Sequence, residues 1–123
     1  MTEEIIFNLM LACFITHEID AVDKKEWRML FVLRKMNDKR AAMLFMLLHV
    51  PLCAVVLSLV YSTYSDVSFF SRLSLALFAV IHLWLHWRLR NHPKNQFAGP
   101  ISYGPIAGAA MLGGLYICYS LAS

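Results

Sequence analysis

The sequence predicts an all-α integral membrane protein, a bundle of four transmembrane helices. Three observations predict it. The chain is 59% hydrophobic and only 15% charged, with a mean hydropathy of +0.58, too apolar for a soluble domain of this size. A fold of 123 residues cannot hide that much apolar surface from water, because small folds leave much of their surface exposed. Four apolar stretches approach or reach membrane length, and the cations gather in two of the three connections between them.

The spans read as about 5–22, 41–62, 69–87 and 101–121, within a single membrane domain, residues 1–123. The purely apolar part of the first, Ile5 to Thr16, is short for a crossing. It reaches membrane length only if His17, Glu18 and Asp20 belong to it and face protein or water. Glu3 and Glu4, standing where a leader peptide would carry cations, predict an uncleaved first helix. Ala41 to Ser62 carries no formal charge but contains Pro51, which removes a backbone donor close to His49. Phe69 to Trp87 has Arg72 near its outer end and Trp84 and Trp87 at its inner one. The fourth span carries Gly104, Gly108, Ala109, Ala110, Gly113 and Gly114. Small residues at such spacing make a close-packing face, suited to a neighbouring helix or to a homo-oligomer.

Between the first two spans the chain is basic, and Trp27, Leu30, Phe31 and Arg34 recur at near-helical spacing. An amphipathic helix in the headgroup layer is expected there, with Glu26 and Trp27 at the interface. Lys24, Lys25, Arg28, Arg34, Lys35, Lys39 and Arg40 fill this loop, and Arg88, Arg90 and Lys94 fill the third; Arg72 is the remaining cation. The positive-inside rule then sets both loops in the cytoplasm and both termini outside, as in a bacterial inner membrane. Acidic residues interrupt the basic run, so membrane lipid rather than nucleic acid is the expected partner. Cys13, Cys53 and Cys118 lack paired spacing and read as structural thiols.

Alternating helix direction brings four histidines to one end of the bundle. At 1.5 Å per residue, His17 lies about 7 Å inside the inner boundary, His49 about 12 Å, His82 about 9 Å and His86 about 3 Å. His82 and His86, at i and i+4, share a helix face, a spacing that lets two imidazoles grip one ion. His17, His49, His82 and His86 are therefore candidate metal ligands, for zinc or iron. Glu18 and Asp20 are candidate catalytic groups, as general base or as partners that orient the imidazoles. The plainer readings are a solvated His86 and His92, a His49 bonded to a backbone carbonyl at the Pro51 kink, and a His17–carboxylate clasp between helices.

The string His17-Glu18-Ile19-Asp20-Ala21, followed by Glu26-Trp27-Arg28, resembles small bacterial membrane proteins of an uncharacterised family with a His-Glu-x-Asp … Glu-Trp signature. It is more distantly similar to the HXXEE family, with Asp20 and Ala21 standing at that motif's two acidic positions. The resemblance implies a role for His17, Glu18, Asp20, Glu26 and Trp27 and no particular activity. The functional expectation is a metal-binding membrane protein, a hydrolase or oxidoreductase acting on a lipid-soluble substrate. The alternatives are a haem-binding electron-transfer anchor and a non-enzymatic membrane subunit whose polar residues join helices.

Overall fold

The computed structural model describes residues 2–30 and 32–122. Among them are four α-helices and two short 3₁₀ turns: α1 (Thr2–Asp23), α2 (Asp38–Val60), α3 (Ser65–Arg88) and α4 (Gly99–Ala122), with the turns at Glu26–Arg28 and Leu33–Lys35. All four helices are long and apolar enough to cross a membrane. No strand occurs among the described residues, as expected of a chain that must satisfy its backbone within each crossing segment.

α4 is the hub, packed closely on α1 and on α3, while α2 leans on α3 and on the two turns and barely meets α1. The small residues of α4 explain that arrangement. A Cβ on Gly113 would lie 2.8 Å from the backbone oxygen of Ala76 on α3, and one on Gly108 would lie 3.2 Å from Cys13 Sγ on α1. Glycine is required at 113, where the obstacle is backbone, whereas at 108 the Cys13 side chain would have to give way by a few tenths of an ångström. Gly104 and Gly114 have open space beside them. One core joins Phe7, Met10, Val60, Ala76, Ala109 and Tyr116 around α4.

At the end of the bundle away from His17, His82 and His86, Arg72 donates to the Val60 carbonyl, ion-pairs with Glu4 and covers the Phe7 and Tyr61 rings. Its charge is thus partnered rather than left in hydrocarbon.

The connection from α1 to α2 differs from a headgroup helix. Phe31 of the expected amphipathic pattern lies outside the described residues, as do Met1 and Ser123 of the single domain. Elsewhere the pattern resolves into two 3₁₀ turns, because its apolar residues divide between inside and outside. Trp27 and Leu33 are buried with Ala21, Ala41, Phe45 and Phe97, whereas Leu30 and Val32 are exposed. A single straight helix cannot send residues so spaced to a core on one side and keep the rest at lipid. Arg28 and Lys25 fasten this connection by pairing with Asp38 at the start of α2.

Candidate metal centre

Each element of the cluster reaches the same end of the bundle for a local reason. α1 carries His17, fully buried, and α3 carries His82 and His86 one turn apart on the face toward it. The Nε2 atoms of His17 and His82 are 3.0 Å apart. The His86 ring lies 4.8 Å from that of His17 and 4.9 Å from that of His82, centroid to centroid. Aromatic rings wall the cluster. Phe14 and Phe78 pack on His82, and Phe97, brought in by the loop before α4, meets the His86 ring edge-on at 4.6 Å and the His17 ring at a tilt at 5.6 Å, centroid to centroid. Asn95 shapes that loop, donating to the Arg90 carbonyl and accepting from the Phe97 amide.

The fourth member is Glu26, which the sequence reading put at the interface. α1 ends at Asp23, and Lys25 then takes a left-handed conformation, φ 52°, that folds the chain back under the helix ends. Trp27, only 4% exposed, sinks against Phe45 and fixes the turn. Glu26 is thereby directed at the histidines, its carboxylate 3.7 Å from His17 Nε2 and 3.8 Å from His86 Nε2. One donor atom from each of His17, Glu26, His82 and His86 lies within 4.8 Å of all the others. The spacing along the chain gave no sign of this. The Glu-Trp pair of the resemblance was the available signal, and its physical content is an aimed carboxylate followed by the ring that anchors it.

The donor set could hold a metal cation. Three imidazoles and one carboxylate suit zinc or iron. Metal–donor bonds of about 2.0–2.1 Å at tetrahedral angles put neighbouring donors about 3.3 Å apart, so the 3.0 Å between His17 and His82 would widen slightly and the longer separations, up to 4.8 Å, would close around an ion. Glu26 Oε2 and His17 Nδ1 are buried without a hydrogen-bond partner, and so is Asp20 Oδ2. Buried polar atoms of this kind are costly unless something fills the role of partner. Burial alone would push the Glu26 carboxyl up; the neighbouring His86 imidazole, with those of His17 and His82, outweighs it and holds the group below its ordinary value. The Glu26 carboxyl is therefore ionised at neutral pH.

Asp20 shares the His17 face at i+3. His17 Nδ1, on the side of the ring away from the cluster, and Asp20 Oδ2 are each buried without a hydrogen-bond partner, so the two are not bonded to each other. His49 stands outside the four-donor group. Its Nδ1 donates to the Phe45 carbonyl at 2.7 Å, and its Nε2 meets Glu18 Oε2 at 2.9 Å. His92 is a loop residue whose ring nitrogen accepts from the Lys94 amide.

A family match covers residues 3–123. The chain belongs to DUF6713, a family of unknown function. The match agrees with the resemblance to an uncharacterised family and does not bear on the more distant HXXEE likeness. No curated protein and no solved structure matches the chain, so for this DUF6713 member the functional argument starts from the site itself.

Proposed function

We propose that this protein is an integral membrane metalloprotein holding one divalent ion, zinc or iron, on His17, Glu26, His82 and His86, and acting on a lipid-soluble substrate. The observation that carries the reading is the convergence of those four donors within 4.8 Å in an aromatic cage. Intramembrane ionisable groups are expensive and mark function by default. The fold does not need these four to meet: α4 already ties α1 to α3 through glycine and alanine.

Such an ion supplies Lewis acidity and, where a coordination position stays open, a water of lowered pKa. Asp20, on the His17 face and likewise unpartnered, would orient that imidazole once the ion is bound, and Glu18, paired with His49, is the nearby carboxylate able to hold or pass a proton. Hydrolysis and oxidation both fit this equipment. A porphyrin fits less well, since four donors crowded about one point leave no open plane between axial ligands. The distribution of cations supports a cytoplasmic location for the centre, with both termini outside, as in a bacterial inner membrane.

Elemental analysis of detergent-purified protein tests the reading. It predicts about one zinc or iron per chain from the four-donor count, lost in the His82→Ala/His86→Ala double variant while helical circular dichroism persists. Substoichiometric metal in the wild-type protein, unaffected by the variant and not raised by adding either ion, would overturn it.

A further inference from the structure

We infer that the groove between α1 and α2 binds one extended hydrocarbon chain bearing a terminal hydroxyl, with the hydroxyl at the Glu18–His49 pair. Two polar crosslinks join these helices. Glu18 bonds His49 at the inner end, and Tyr61 donates to Asn8 at 2.6 Å toward the outer end. Between them the helices part, with α3 as the back wall, leaving a groove of about 590 Å³. Volumes of this order are those of ligand sites. Its length from His49 to Val60 is about 16 Å at helical rise. Phe14, Ile15, Leu52, Val56 and Phe78 line it, and Glu18 and His49 are the ionisable side chains that face it apart from the Cys53 thiol.

The chemistry of the pair selects the head group. Because His49 Nδ1 donates to a backbone carbonyl, that nitrogen carries a hydrogen. The contact between Nε2 and Glu18 then holds a single shared proton, as imidazolium with carboxylate or as neutral imidazole with carboxylic acid. Either way the pair presents no net charge, so neither an acidic nor a cationic head gains by entering. Its two hydrogens are committed, one to the Phe45 carbonyl and one to the shared contact, so what it presents to the groove is a Glu18 carboxyl oxygen as acceptor, with about a quarter of each side chain exposed: 26% for His49 and 28% for Glu18. A hydroxyl donates to that oxygen without bringing a charge. Long-chain alcohols and quinols share that chemistry. Glu18 follows His17 directly in sequence, so the bound head lies beside the proposed metal centre. Calling the occupant a substrate rests on the metal reading above; its binding does not.

Cys53 lines the groove and reports occupancy. The test uses the full chain with Cys13→Ala and Cys118→Ala in lipid nanodiscs, and follows N-ethylmaleimide labelling of Cys53 with dodecanol or dodecane present. Dodecanol should protect Cys53 at concentrations about tenfold lower than dodecane, the worth of one net hydrogen bond. In the Glu18→Leu/His49→Leu variant that preference should vanish while dodecane protection remains, which also reports an intact groove. Equal protection by both compounds in the parent, or protection by neither, overturns the proposal. Repeating the comparison in the metal-free His82→Ala/His86→Ala protein separates the two readings: the alcohol preference should persist there, and its loss would also overturn the proposal.

Discussion

Replacing Glu26 with Gln removes the sole carboxylate from the four-donor cluster while nearly preserving its shape. Gln keeps a carbonyl oxygen where the Glu26 carboxylate stands, 3.7 Å from His17 Nε2 and 3.8 Å from His86 Nε2, but it brings no charge to offset the ion's. Four-donor zinc sites yield about 10–16 kcal/mol on binding. An even share per donor is about 3 kcal/mol, or about 100-fold in Kd. The side chain is only 13% exposed, so solvent would not restore the missing charge. The assay is competition for zinc between detergent-purified protein and a chromophoric chelator, with circular dichroism to confirm the fold. His49→Gln is the informative partner. It severs the bond to Glu18 and leaves all four donors in place, so its Kd should stay within about threefold of wild type. If Glu26→Gln binds zinc as tightly as the parent, or His49→Gln loses as much as Glu26→Gln, the four-donor assignment is wrong.

Asp20→Asn should weaken zinc binding about 10- to 100-fold, the usual effect of losing a ligand's orienting carboxylate; unchanged affinity in the same competition would remove Asp20 from the site. Trp27→Ala should cost about 3–5 kcal/mol of stability as a buried aromatic truncation, read as a lowered Tm, and should lower metal affinity because Glu26 loses its anchor. A lowered Tm with unaltered zinc affinity would mean that Glu26 is positioned otherwise. Zinc affinity should fall in acid, where protons compete with the ion for the imidazole nitrogens. A Kd that stays constant from about pH 7.5 down to about pH 4 would contradict imidazole ligation.

Hydropathy made the four helices legible, since a membrane leaves a chain little choice but to form long apolar helices. Depth counting and the i, i+4 spacing brought His17, His82 and His86 to one level, and the structure brings those three together. The rest depended on forces that leave no periodic trace. α2 is apolar nearly all round, so its sequence does not state which way His49 faces. Its rotation is set by leaning on α3 and by the Glu18 bond. Glu26 lies in a turn whose direction comes from one left-handed residue, Lys25, and one buried ring, Trp27. Both are tertiary choices, and the near-helical spacing of Trp27, Leu30 and Phe31 suggested a surface helix instead.

X-ray absorption at the zinc edge, on purified protein loaded with one equivalent of zinc, tests the central claim most directly. The account predicts outer-shell scattering from three imidazoles with a fourth oxygen donor, falling to two imidazoles in His82→Ala. A spectrum of oxygen ligands alone, or one that His82→Ala leaves unchanged, would contradict it.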